Sequence, residues 1–390
     1  MASAGRGFNA ARAHPAPLDG LEALIAAEPA LEGTLDTIVE LARREVPPLS
    51  MHAVGRAEAT TISRADAATW VARMVVGSVQ QPEGHPRLDC APLLGSPYPA
   101  ERAKLRSMLA YFERIAAEGL PSGTLRVERV VVPARSADDW RSDRSPLTSL
   151  DVFAEGAIED APQCRQVDFA NRFLGGGVLS GGNVQEEIRF AVAPEHLAMM
   201  IVSPMMRDDE AIVMTGCESF ATTRGYGGTL AYAGHYRDPC PRLADGTPDL
   251  ELVAIDAVDY RRGNPNLQYL EPAVLRELGK ARAGFARDDH ATGVAAPGVA
   301  APRNRAIATG NWGCGAFHGD PPHKAVLQWL AASAEGRAIR YYSFGDPRVG
   351  DLAGFARAAR ERSFTVGALF DRVVATAGCD GAALYRLLLA

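Results

Sequence analysis

The chain has 390 residues, 47% hydrophobic and 23% charged, with a formal net charge of −6. This length exceeds the roughly 100–200 residues of one ordinary domain and allows a large core. The acidic balance excludes the basic footprint of a nucleic-acid-binding domain, so no direct DNA binding is expected, and no apolar run reaches the ~18 residues that span a bilayer.

The opening MASAGRGFNAARAHPAPL carries Arg and no acid before Asp19; it is weakly transit-like, and residues 1–17 are expected to form a disordered tail. No secretory apolar region is visible, and an intracellular location, cytoplasmic or nuclear, is expected. Residues 18–150 are mainly helical in pattern. Ser63 and Asp66 make a capping-box variant ahead of a helix carrying Trp70, Val71, Met74 and Val75 on one face, stopped by Pro82 and Gly84. A second helix runs over 101–118, with Leu105, Met108, Leu109, Phe112, Ile115 and Ala116 at i, i+3, i+4, i+7 spacing. The run 125–133 is strand-like.

After about Leu150 strands, loops and helices alternate. Strands are predicted at 166–170, 211–216, 251–257, 305–309 and 338–344, and helices from 186 and over 324–334. This pattern argues for an α/β fold, a sheet covered by helices, over 151–390. The Ala/Gly/Pro-rich stretch 287–303 is expected to be a flexible loop. Six cysteines at 90, 164, 217, 240, 314 and 379 show neither C-x-x-C spacing nor zinc-spaced histidines, and are expected to be buried thiols with no metal bound.

The densest chemical signal is Asp168-Phe-Ala-Asn171 at a strand end, then Gly175-Gly176-Gly177, Gly181-Gly182 and Gln185-Glu186-Glu187. Glycines let backbone approach a ligand, and successive amides beside a helix start can cradle an anion. Alone, the glycines suit a plain surface turn; the spacing fits neither a P-loop nor G-x-G-x-x-G. Consecutive glutamates on a helix do not face one another, so they are not the opposed carboxylates of a retaining glycosidase, held ~5 Å apart. One can donate a proton while its neighbour holds a hydroxyl; equally, both can be solvated first-turn acids matching the helix dipole.

The combination of VDFAN at 167–171, GGG at 175–177 and QEE at 185–187 resembles the poly(ADP-ribose) glycohydrolases. Further similar blocks follow in order: Gly225-Tyr226, Ala254–Ala257, Ala308–Phe317 with Gly319-Asp320, and Ser343–Asp346. The similarity covers roughly 45–370, with the helices near 63–79 and 101–118 resembling the accessory region of longer, eukaryote-type members. The resemblance implies a macrodomain-like mixed sheet flanked by helices, and hydrolysis of ribose–ribose bonds in poly(ADP-ribose) to release ADP-ribose. Poly(ADP-ribosyl)ated proteins are the implied partners of a monomeric enzyme without cofactor. Glu187 is the implied acid/base, made neutral by burial and by repulsion from Glu186. Glu186 and Asn171 hold ribose hydroxyls, and Asp168 supports the site. Gln185 shapes the loop, and Gly175, Gly176 and Gly177 lie along the diphosphate. Tyr226 packs on adenosine, Ile158 and Glu159 read adenine, and Asn311 to Phe317, including Gly315 and Ala316, form a second loop in which Phe317 sets the ribose.

There are departures. Thr223 stands where some relatives carry an aromatic, and His318 where a glycine usually follows the phenylalanine. The spacing from Ile158-Glu159 to Asp168 is one residue short. His318 is expected to face solvent, His323 to sit in a helix first turn, Trp312 to pack beneath the loop, and Arg224 and Arg237 to lie on the surface. Two alternatives remain open: a macrodomain that binds ADP-ribose without cleaving it, and a hydrolase of mono-ADP-ribosylated proteins. The glutamate pair argues against the first, and the full Gln-Glu-Glu block with the accessory helices against the second.

Overall fold

A computed structural model describes residues 4–13, 16–287, 304–376 and 381–390. The loop expected over 287–303 lies outside the described residues apart from Arg287. Ten strands are described: β1 (Glu58–Ser63), β2 (Thr124–Val131), β3 (Leu150–Phe153), β4 (Arg165–Ala170), β5 (Glu210–Thr215), β6 (Ala221–Arg224), β7 (Ala231–His235), β8 (Glu251–Asp256), β9 (Ile307–Gly310) and β10 (Ile339–Tyr342). Eight form one sheet in the order β1-β2-β5-β8-β4-β9-β10-β3, and β6 and β7 make a separate hairpin. From β8 to β3 the ladders are parallel; β1, β2 and β5 extend the sheet antiparallel from β8. The macrodomain-like mixed sheet expected from the sequence is therefore present.

Strand alternation separates two cores. Ile212, Met214, Leu252 and Ala254 point into one, with the N-terminal helices and Phe190 and Leu197. Ala211, Val213, Val253 and Ile255 point into the other, against the helices Glu271–Phe285 and Pro321–Ala334. The latter helix is buried on nearly every side. Its Gln328 Nε2 donates to Gly310 O at 3.0 Å and its Oε1 accepts from Thr309 Oγ1 at 2.5 Å, fixing the end of β9.

Three sequence expectations change. The segment 1–17 is not a tail throughout: Ala4–Ala11 is helical, and Phe8 is fully buried among the N-terminal helices. The region 18–150, read as mainly helical, also supplies β1 and β2 of the main sheet, and its side chains enter both cores, Leu105 and Val127 one, Val132 and Trp140 the other. The helix capped by Ser63, whose Oγ accepts from Asp66 N at 3.0 Å, ends at Val76, before Pro82. Gly77, at φ 73°, turns the chain, and Ser78 N donates back to Arg73 O at 2.8 Å. No helix among the described residues is long and apolar enough to cross a membrane. The five described cysteines are buried and form no disulfide; Cys379 lies outside the described residues.

The helix Arg64–Val76 is tied to the region after β4 by a buried ion network. Arg64 donates through Nε to Glu195 Oε1 at 2.7 Å, and through Nη2 to Glu195 Oε2 at 3.1 Å and Glu218 Oε1 at 2.5 Å. Arg64→Met leaves the Glu195 carboxylate buried without its cation and is expected to lower unfolding free energy by about 3–5 kcal/mol. Denaturant titration checks this; a loss below about 1 kcal/mol would dismiss the network as a stabilising tie.

Two histidines make stability sensitive to acid. Burial lowers the pKa of His196 from 6.5 to about 3, and that of His323 from 6.5 to about 4. Both rings are thus neutral when folded, while the unfolded chain gains their protons once pH drops below 6.5. The melting temperature should fall as pH goes from 6.5 towards 4, less steeply in His323→Gln; an identical slope in that variant would refute the assignment.

Candidate active site

The site grows from the carboxyl end of β4. Beyond it the chain makes close turns: Asn171 Oδ1 accepts from Phe173 N at 3.0 Å, Gly176 N donates to Phe173 O at 3.1 Å, and Gly182 N to Gly177 O at 3.1 Å. The helix Gln185–Val192 then begins, and its first three side chains all reach back. Gln185 Oε1 accepts from Phe169 N at 2.8 Å. Glu186 accepts from Asn171 N at 2.8 Å and from Gly175 N at 2.6 Å. Glu187 accepts from Gly177 N and from Val184 N, both at 2.9 Å. Strand end, glycine turns and helix start are thereby laced into one unit.

These contacts explain the glycines. A Cβ on Gly176 would sit 2.6 Å from Glu187 Oε1 and 2.7 Å from Glu186 Oε2, and one on Gly182 would sit 2.5 Å from Glu187 Oε1. Gly175, at φ 85°, would meet Met200 Sδ at 2.6 Å. The triple glycine therefore makes room for carboxylates and a core methionine. Gly175, Gly176 and Gly177 do not line the cleft; Gly181 and Gly182 do.

Three acids lie together. Asp168 is wholly buried, and neither of its oxygens accepts a hydrogen bond from the described residues. Burial, reinforced by the Glu187 charge, pushes its pKa well above the usual carboxylate range, against the opposing pull of Arg189. Burial and the charges of Asp168 and Glu187 also raise Glu186, although the amides of Asn171 and Gly175 oppose this.

A second loop follows β9. Trp312 is buried, its Nε1 donates to Ile255 O at 2.9 Å, and the Lys324 ammonium lies 3.5 Å from its ring centroid. The Asn311 side chain is taken up within the protein: Oδ1 accepts from Tyr341 Oη at 2.7 Å, and Nδ2 donates to Ser343 O and Asp346 Oδ2, each at 3.3 Å. Phe317 O accepts from Tyr260 N at 2.9 Å, and the Arg261 guanidinium stands 5.5 Å from the Phe317 ring centroid. Gly315, Ala316 and His318 are exposed, the last at φ 58°.

Both loops face one cleft of about 1320 Å³. Asn171, Gln185, Glu186, Glu187, Tyr226, Asn311, Gly315, Ala316, Phe317 and Glu159 all line it. Tyr226 is 56% exposed, held where Gly227 N donates to Asn183 O at 2.9 Å. Asp168 lies beneath the cleft, and Ile158 is buried behind it beside Tyr342. His323 is indeed a buried first-turn residue, Arg224 is exposed, and Arg237 pairs with Glu118 on the surface. Sequence patterning missed Phe169, Asn183, Arg261 and Arg348 in the cleft wall. No periodicity marks a loop arginine. Phe344, in the Ser343–Asp346 block, also lines the cleft, 55% exposed and at φ 53°.

Comparison with known proteins places the sequence among relatives. A probable poly(ADP-ribose) glycohydrolase 2 of Arabidopsis thaliana is 34% identical over 310 residues, 70% of this chain and 58% of its own. A poly(ADP-ribose) glycohydrolase 1 of Caenorhabditis elegans is 32% identical over 350 residues, 86% of this chain and 42% of its own. The chain thus spans less than two thirds of the length of these relatives. Residues 137–351 match the family described as poly (ADP-ribose) glycohydrolase (PARG), Macro domain fold. With more than half of its length inside that match, the chain belongs to the poly(ADP-ribose) glycohydrolase family.

Proposed function

We propose that this protein hydrolyses the ribose–ribose O-glycosidic bonds of poly(ADP-ribose), on modified proteins or free, and releases ADP-ribose. The observation that carries this is the Glu187 carboxylate, gripped by amides on both sides in the wall of a cleft that both loops share. The cleft exceeds the ~300–1,000 Å³ common for small-ligand sites, which suits an oligomeric ligand.

Glu187, protonated, gives its proton to the oxygen leaving the anomeric carbon. The C–O bond breaks with its electron pair going to that oxygen, and the ribose becomes an oxocarbenium ion. Water then adds to the carbon, and the Glu187 carboxylate takes the water's proton, restoring the acid. One carboxyl serves both steps, because Glu186, next to Glu187 on the helix, does not oppose it across the sugar. Asn171 and Glu186 hold ribose hydroxyls, and Tyr226 packs on adenosine. Phe317 orients the terminal ribose, and Glu159 reads adenine. Gly315 and Ala316, both exposed in the cleft, lie along the diphosphate.

Release of ADP-ribose from labelled polymer separates this activity from mere binding. Glu187→Gln should lower kcat at least ~10²-fold while ADP-ribose affinity and melting temperature stay near the parent's; near-normal hydrolysis would discard Glu187 as the acid. A second test uses the glycines. Gly182→Ala forces a methyl against Glu187 and should cost about tenfold or more in kcat. Gly181→Ala, whose Cβ would meet only Glu101 Oε1 at 3.3 Å, should stay near the parent. Equal rates in the two variants would contradict the role given to Gly182.

A further inference from the structure

The helix Pro99–Glu118 lies outside the strands and loops that build the site, yet it sends one side chain directly beneath the first loop. Lys104 has no exposed surface. Its Nζ donates to the carbonyls of Gly177 at 3.2 Å, Val178 at 3.1 Å, Ser180 at 2.6 Å and also Gly182. No carboxylate forms an ion pair with it among the described residues. Its charge is therefore balanced mainly by four carbonyl dipoles from one six-residue loop.

An ammonium is costly to bury, and a neutral side chain would leave these carbonyls without a donor. The loop edge opposite those carbonyls meets Glu187: Gly177 N donates to it at 2.9 Å, and Gly182 is packed so close that a Cβ would lie 2.6 Å from its Cδ. The same two glycines thus face Lys104 on one side and Glu187 on the other.

We propose that Lys104 is a positioning residue for catalysis: it clamps the Gly177–Gly182 loop from below and so fixes Glu187 against the bond to be cleaved. The proposal rests on the acid/base role given to Glu187 above, and it makes turnover conditional on a helix of the N-terminal region. The groups facing Lys104 agree with a clamp near its titration limit. Burial brings its pKa down to about 8, and Glu187, Glu101 and Cys90 oppose the fall. Once neutral, the amine has two N–H donors and a lone pair facing four carbonyls.

The test measures kcat and KM on polymer, ADP-ribose affinity and thermal unfolding for the parent, Lys104→Met, Lys104→Arg and Glu187→Gln. Lys104→Met should lose about tenfold or more in kcat with KM within roughly threefold, because displacement of a catalytic group by about 1 Å is enough for such a loss. Lys104→Arg, still charged and donating, should recover part of it. Folded Lys104→Met with the parent's kcat would overturn the proposal, even if its melting temperature fell. Should neither variant fold, the parent decides: kcat should decline above about pH 8 while its circular dichroism stays native. A flat kcat through that range would overturn the proposal. Near-normal hydrolysis by Glu187→Gln would sink the acid assignment instead, whereas an inactive Glu187→Gln beside a fully active Lys104→Met would sink only the lysine's role.

Discussion

Five backbone amides, those of Phe169, Asn171, Gly175, Gly177 and Val184, end on side-chain oxygens of the three consecutive residues Gln185, Glu186 and Glu187. Everything distinctive about the site follows from this lacing. An intramolecular hydrogen bond contributes roughly 0.5–1.5 kcal/mol net, and four of the five end on carboxyl groups. The helix N-terminus adds its own attraction for the two acids. A loop that must bring its amides within hydrogen-bonding range of two adjacent carboxylates has no space for Cβ atoms at Gly176 and Gly182. The glycines are thus a consequence of the glutamates.

The sheet sets where this unit sits. The parallel strands β8, β4, β9, β10 and β3 place their carboxyl ends at one edge, where open α/β sheets bind ligands. The first loop leaves β4 and the second leaves β9, its neighbour, so the two rise side by side. Each loop also rests on a buried lysine. Lys104 gathers carbonyls under the first, and Lys324 lies against the Trp312 ring and pairs with Glu277 under the second. The cleft wall is therefore backed by two buried amines as well as by apolar packing.

Much of this frame was legible in the sequence. The two long N-terminal helices and β4, β5, β8 and β10 announced themselves through periodicity and β-branched runs. β1, reading Glu-Ala-Thr-Thr-Ile-Ser, and β3, four residues long, did not, because an edge strand with one wet face carries little apolar signal. The helix Glu271–Phe285 was hidden for another reason: it buries Glu277 and Lys280, whose charges are neutralised by distant residues. Lys104 is the same problem at the site, since helical periodicity counts a lysine as solvent-facing and cannot see the carbonyls waiting for it. Nor does the sequence show that Gly175 and Gly176 make room for Met200 and the two glutamates, or that the Asn311 side chain bonds to Tyr341, Ser343 and Asp346.

The order of strands in the sheet also bears on how the chain must be made. β2 is flanked by β1 on one side and by β5 on the other, and β5 begins only at Glu210. The N-terminal helices share their core with Phe190, Leu197, Ile212 and Leu252. During synthesis the segment up to the end of β2 therefore keeps an open apolar flank until some eighty more residues, to β5, have been made, an exposure that favours association with other chains or chaperones. A fragment ending near residue 150 would carry the same unfinished flank permanently, without Ile212 and Leu252 to cover it.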